Sequence, residues 1–202
     1  MFLATILSWI AGVNRDRPRA YMGIGAFNLV RTSVYRQLGG YEALRLTVLD
    51  DMKMGLLVRR AGKRTRAYLG AEDVECHWGT TIRGMIKVVE KNYFAAIDFR
   101  VGIVVAAVLF TLAVIAVCVA GLFSGTAAGL LAAFSPLLGI APAAALARRS
   151  GWPWTSALAT PLMLLVFMYA LLNSTVITLR DGGVRWRDTF YSLKTLRAGM
   201  VR

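Results

Sequence analysis

The sequence predicts a mixed α/β region over residues 1–100, an α-helical membrane region of two to three spanning helices over 101–179, and a short basic tail over 180–202. Three observations predict this. The first is charge. Of the 24 Lys and Arg residues, 16 lie in 1–100, two in 101–179 (Arg148 and Arg149) and six in 180–202; the 11 Asp and Glu residues divide as nine, none and two. A single soluble globule does not segregate charge in this way, and a chain that is 57% hydrophobic and 17% charged is not disordered. The second is three charge-free apolar stretches, 101–123, 126–147 and 155–179. Each exceeds the about 20 residues that cross a hydrocarbon core roughly 30 Å thick at about 1.5 Å per residue. The third is that short glycine-flanked apolar runs and helical periods both occur in 1–100.

The elements follow in order. Met1–Val13 is apolar but short, with no preceding Lys or Arg, so it reads as a buried or interfacial helix rather than a signal peptide. Gly23–Val30 reads as a buried strand with close backbone approach. Arg31–Leu38 reads as one or two helical turns ended by Gly39-Gly40. Leu49–Arg60 reads as a helix, since acidic residues open it, basic ones close it, and Gly62 suits the position after its end. Residues 64–69 and 72–78 read as short strands. Over 81–99 the apolar residues Ile82, Met85, Ile86, Val89, Tyr93, Ala96 and Ile97 recur at helical spacing, with Arg83, Lys87, Glu90 and Lys91 on the other side. Running straight into the first apolar stretch, this helix reads as interfacial; an ordinary surface helix is the alternative.

The membrane stretches have fitting flanks. Arg100 precedes the first, Arg148-Arg149 follow the second, Trp152 and Trp154 open the third, and Arg180 ends it. Both 1–100 and the tail are basic, so the positive-inside rule places both in the cytoplasm. Three full crossings would put them on opposite sides. Either one stretch fails to cross, the best candidate being 126–147 with Pro136 and Pro142, or all three cross and the tail is external.

The adjacent carboxylates Asp50 and Asp51 are the sharpest candidate for chemistry. A carboxylate held near a substrate hydroxyl acts as a general base; on spacing alone the pair reads first as a helix cap and its neighbour. Cys76 and His77 are adjacent in an expected strand, point to opposite faces and read as structural. Cys76 and Cys118 form no metal-binding spacing. Gly23-x-Gly25 lacks the third glycine of a dinucleotide fingerprint. Glu72–Glu75 reads as a solvated loop. Arg185, Arg187, Lys194 and Arg197 suit anionic lipid or a diphosphate.

The ordered set Gly25-Ala-Phe-Asn-Leu-Val-Arg31, Tyr35-Arg-Gln-Leu-Gly-Gly-Tyr41, Leu49-Asp-Asp-Met-Lys-Met-Gly55 and Arg60-Ala-Gly62 resembles the acceptor-side half of family 2 glycosyltransferases. The closest look is to members related to ceramide glucosyltransferases and to hopanoid and carotenoid glycosyltransferases. The resemblance covers about residues 20–100 and, more loosely, the membrane stretches and tail. It implies a partial GT-A-like domain in a bacterial inner membrane, multi-pass, with residues 1–100 cytoplasmic. It also implies inverting transfer of a sugar from a nucleotide-sugar donor to a lipid or polymer acceptor. Asp51 takes the place of the general base and Asp50 that of its acidic neighbour. Gly25 falls in the substrate-contacting strand. Glu90-Lys-Asn-Tyr-Phe94 stands where many members carry Gln-x-x-Arg-Trp, which leaves Lys91 as the candidate diphosphate contact. Val184-Arg-Trp-Arg-Asp-Thr-Phe-Tyr191 is similar to the closing Trp-Arg-Gly-x-x-Tyr segment and makes Trp186 and Arg187 candidate substrate contacts. The resemblance further implies a divalent metal, Mg or Mn. No metal ligand is expected in this chain, because nothing before Gly23 suits the nucleotide-binding half with its Asp-x-Asp. The sequence thus looks like the C-terminal part of a longer enzyme, inactive alone.

A second class of function is a non-enzymatic membrane anchor or partner subunit with a basic cytoplasmic domain. A transporter is disfavoured by the charge-free stretches. Nucleic acid is not an expected partner, since the basic excess is spread as suits a protein facing membrane lipid.

Overall fold

The computed structural model describes residues 10–17, 19–68, 70, 73–74, 81–186 and 188–201. It is 66% helical, and among the described residues its one sheet has two strands. The chain forms two compact units. One is Arg100–Asn173; the other joins residues before Arg100 to Ser174 and those after it.

The second unit opens with the described part of helix α1, residues 10–14. Asn14 fixes this helix end to a distant loop, its amide donating to the Ala67 carbonyl and its side-chain oxygen accepting from the Ala67 N–H, both at 2.8 Å. Asp16, at φ 55°, accepts from Arg59 and Arg66 at 3.0 Å. The hydrogen bond from Arg66, with Arg59 beside it, holds its carboxyl at about 2. Helix α2 (Thr32–Gln37) ends at Gly39 and Gly40, both at positive φ. A side chain at Gly40 would strike the Tyr35 ring. A 3₁₀ turn, Gly40–Leu44, then leads to α3 (Asp50–Arg60). Gly62 follows α3 at φ 70°, in the left-handed conformation that ends helices.

Several sequence expectations are corrected here. Gly23–Val30 is not a buried strand: Phe27 and Leu29 are 65% and 86% exposed, and no ladder partner exists among the described residues. A strand is defined by its neighbour's hydrogen bonds, and apolar residues without that neighbour remain an extended loop. Residues 64–68 are irregular for the same reason; most of 72–78, with Cys76 and His77, lies outside the described residues. The single helix expected over 81–99 is instead α4 (Ile82–Val89) and the one-turn α5 (Tyr93–Ala96). It does not run straight into the first apolar stretch, because Asp98 and Phe99 both stand at positive φ. Thr81 caps α4 by accepting from the Gly84 N–H at 3.0 Å.

The chain returns to this unit at Ser174, inside α9 (Thr160–Arg180). Ser174 is fully buried; its hydroxyl accepts from the Phe94 N–H at 3.0 Å and donates to the Glu90 carbonyl. The tail forms a hairpin, β1 (Gly183–Trp186) against β2 (Thr189–Ser192), with Val184 facing Tyr191 and Arg185 facing Phe190. Helix α10 (Leu193–Gly199) buries Leu196 and places Arg197 to donate to the Phe99 carbonyl at 2.8 Å. The Val201 N–H then reaches the buried Thr47 hydroxyl at 3.2 Å. The last turns of α9 and the tail thus pack on the region before Arg100.

In the other unit, three helical stretches are long and apolar enough to cross a membrane: Val101–Phe123, Ala127–Arg149 and Trp154–Arg180, the last reaching beyond the unit. The first is the unbroken helix α6 (Val101–Phe123). The second is α7 (Ala127–Phe134), a 3₁₀ turn at Ser135–Gly139 containing Pro136, and α8 (Ile140–Arg149). Glycines at 121 and 129 bring α6 and α7 together closely enough that a Cβ at Gly121 would lie 2.3 Å from the Gly129 carbonyl oxygen. Large side chains such as Phe123, Leu131 and Leu138 are exposed, as hydrocarbon-facing residues are.

Phe99 and Ser174 belong to one unit, so the 74 residues between them leave that unit and come back. An even number of crossings is therefore expected. The interrupted stretch 127–149 is the one expected to enter and leave on the same face, since a 3₁₀ turn at Pro136 allows the chain to reverse there. Impermeant thiol reagents in sealed vesicles should therefore modify cysteines placed at 125 and 151 from one side and at 185 from the other. Labelling of 125 and 151 from opposite sides would mean that 127–149 crosses.

Candidate functional site

The acidic pair occupies the first turn of α3. The N-cap is Leu49, which supplies no side-chain hydrogen bond, so the pair does not have the cap role that spacing alone favours. Each carboxylate instead accepts from the amide that follows it. Asp51 N–H donates to Asp50 Oδ1 at 3.0 Å, and Met52 N–H to Asp51 Oδ1 at 2.7 Å. Asp51 Oδ2 accepts no hydrogen bond from the described residues and faces Gly25, where a Cβ would sit 3.1 Å from it.

Glycines set this approach. Gly23 lies so close to the Asp51 carbonyl that a Cβ would be 1.8 Å from its oxygen, and a Cβ on Gly55 would be 2.1 Å from the Met22 carbonyl oxygen. The 22–25 segment therefore lies directly on the start of α3. Downstream of it, Asn28, Leu29, Tyr35, Tyr41 and Met54 help line an open cleft of about 320 Å³. Tyr41 meets Tyr35 edge-on with ring centroids 5.8 Å apart, and its N–H donates to the Tyr35 hydroxyl at 3.1 Å. Burial raises the Tyr41 phenol pKa, and the charges of Asp50 and Asp51 raise it further. The charges of both carboxylates thus reach Tyr41 in the wall of the cleft. A hydroxyl in the cleft would lie against aromatic faces, and Asp51 Oδ2 is a carboxylate oxygen able to accept a proton.

Among the other residues singled out by sequence, Lys91 and Trp186 come together: the ammonium stands 5.0 Å from the indole centroid and donates to Asn92 Oδ1 at 3.0 Å. Trp186 also lies 6.5 Å from Tyr191 across the hairpin. Gly25 and Asp51 form the first cluster, Lys91 and Trp186 a second. Arg187 lies outside the described residues. Sequence reasoning missed Tyr35, Tyr41 and Asn28 as site-lining residues, although they stand in the quoted motifs. It also missed two long-range contacts on either side of the first turn of α3. There Lys53 pairs with Asp98 at 3.9 Å, and Val201 meets Thr47 across 154 positions. No local signal marks either contact.

No three His, Cys, Asp or Glu side chains converge among the described residues. No family model, curated protein or solved structure matches the chain.

Proposed function

We propose that this chain is the acceptor-side part of a membrane-bound inverting glycosyltransferase, with residues 1–100 on the cytoplasmic side of a cell inner membrane. Asp51 is its general base, Asp50 its supporting neighbour, and the cleft beside Tyr35 and Tyr41 receives the hydroxyl of a lipid or polymer acceptor. The observation that carries this reading is Asp51 Oδ2, which faces the Gly25 backbone and accepts no hydrogen bond from the described residues, while the chain that follows Gly25 leads into the aromatic-lined cleft at Asn28. In the proposed step the acceptor oxygen gives its proton to Asp51 as it bonds to the anomeric carbon, and the nucleoside diphosphate leaves. Lys91 and Trp186 are proposed contacts to substrate or to that leaving group. Nucleotide binding and the divalent metal are assigned to polypeptide acting together with this chain.

A second reading is a non-catalytic anchor or partner subunit. The exposed Phe27 and Leu29 favour it, since they offer an apolar surface to another polypeptide. One experiment separates the two. Native membranes containing the chain, expressed at its own locus with its usual partners, are incubated with labelled nucleotide sugars. Transfer of label to a lipid or polymer fraction should be lost when the gene is deleted and when Asp51→Asn replaces it. Loss on deletion with full transfer in Asp51→Asn would make the chain a subunit. Full transfer in both strains would overturn the enzyme reading.

A further inference from the structure

The geometry points to Arg59 as the positioning residue that keeps Gly25 against Asp51. Asp51, Gly55 and Arg59 stand at i, i+4 and i+8 of α3 and so share one face of the helix, each step turning by only about 40°. The chain from Asp16 to Gly25 runs back along that face. Gly25 and Gly23 lie against Asp51, Met22 lies against Gly55, and Asp16 and Arg17 are held by Arg59.

The two ends of this run are attached differently. From Met22 to Gly25 the approach is close packing, without a hydrogen bond to α3 among the described residues. Packing alone lets a segment slide or lift, since apolar contact is non-directional. At the other end the Arg59 guanidinium forks: Nη1 donates to Asp16 Oδ1 and Nη2 to the Arg17 carbonyl, both at 3.0 Å. Two charge-assisted bonds from one planar group fix orientation as well as distance. Arg66 grips the same Asp16 carboxylate, and Asn14 joins the turn to Ala67, so the hook is braced from behind. The Arg59 side chain is only 14% exposed, which spares these bonds much of the screening that weakens a surface pair. Arg59 stands about 12 Å along the helix from Asp51 and does not reach the reacting atoms. It acts through the register of the 16–25 run, and a reacting group displaced by about 1 Å loses about 10²-fold in rate. The catalytic meaning of this role rests on the reading of Asp51 as general base; the register itself does not.

The test reads the register without activity. In the full chain carrying Cys76→Ser and Cys118→Ser, Gly25→Cys and Asp51→Cys are introduced together. A Cβ at 25 would lie 3.8 Å from the Asp51 carboxyl carbon, whose place the second sulfur takes, so the pair is close to disulfide reach. In detergent with a glutathione redox buffer, Arg59→Met should lower the effective concentration of the two thiols by about tenfold, the factor carried by one charge-assisted bond. Arg59→Lys, which keeps the charge but not the fork, should fall between. Arg64→Gln removes an exposed charge of the neighbouring loop and should change nothing. In native membranes supplied with labelled nucleotide sugars, Arg59→Met in the otherwise unaltered chain should lower turnover per folded molecule and leave the acceptor KM nearly unchanged. An unchanged effective concentration in Arg59→Met would overturn the inference whatever the transfer rate, as would an equal fall in Arg64→Gln. A lowered effective concentration with normal transfer per folded molecule would overturn the catalytic role of the register. Transfer unaffected by Asp51→Asn would overturn the base assignment alone, and the disulfide measurement would still decide the register. Folding is verified by melting temperature in detergent, and Arg59→Lys, the milder change, carries the comparison if Arg59→Met unfolds.

Discussion

Replacement of Asp51 by Asn is expected to lower sugar transfer by about 10²–10⁴-fold, the range typical of a positioned general base. The amide keeps the size of the carboxylate and still accepts from the Met52 N–H through its oxygen. It presents an NH₂ towards Gly25 in place of the proton-accepting oxygen. Asp50→Asn should cost less, because the Asp50 oxygen that accepts from the Asp51 N–H is matched by the amide oxygen of Asn. The measurement is turnover in native membranes divided by the amount of folded chain, with donor binding followed separately. Near-normal turnover by a well-folded Asp51→Asn protein would return the acidic pair to a structural role.

Gly55→Ala is expected to destabilise the protein by about 1–3 kcal/mol, the usual cost of overpacking. Helix propensity alone gives the opposite sign, since alanine in a helix interior is better than glycine by about 1 kcal/mol. Here the added methyl would lie 2.1 Å from the Met22 carbonyl oxygen and 2.5 Å from its carbon. Backbone cannot swing aside as a side-chain tip can, so the 22–25 segment must lift from α3. That lift separates Gly25 from Asp51, and transfer per folded molecule should fall together with the melting temperature. A melting temperature raised by the substitution would show that the contact yields freely.

The legible parts of this fold are those whose signal is local. Apolar length alone located the three stretches, to within two residues at their ends, at Val101–Phe123, Ala127–Arg149 and Trp154–Arg180. The charge order of Asp50 to Arg60 and the glycine at 62 located α3. What was not legible depends on partners far away. Gly23–Val30 carries strand-like residues, but its conformation is decided by whether a second strand lies beside it. Nothing in Asp98-Phe99 announces two consecutive left-handed residues; they are held by Lys53 on one side and Arg197 on the other. Ser174 sits in an apolar run where its hydroxyl looks incidental, and it joins positions 80 and 84 residues away. In the candidate site, Asp51 was visible as one of two adjacent carboxylates. What separates it from Asp50 is that its open oxygen faces the Gly25 backbone.

The closure of the region before Arg100 by Ser174, Arg197 and Val201 has a consequence for biosynthesis. The 74 intervening residues of Arg100–Asn173 are translated before any of these partners exist. At about 5–20 residues per second the Phe94 amide waits roughly 4–16 s for Ser174, the Phe99 carbonyl roughly 5–20 s for Arg197 and the Thr47 hydroxyl roughly 8–31 s for Val201. Maturation of the first-made region therefore follows insertion of the last-made helix, and a ribosome that stalls within that interval leaves an unfinished domain for quality-control proteases.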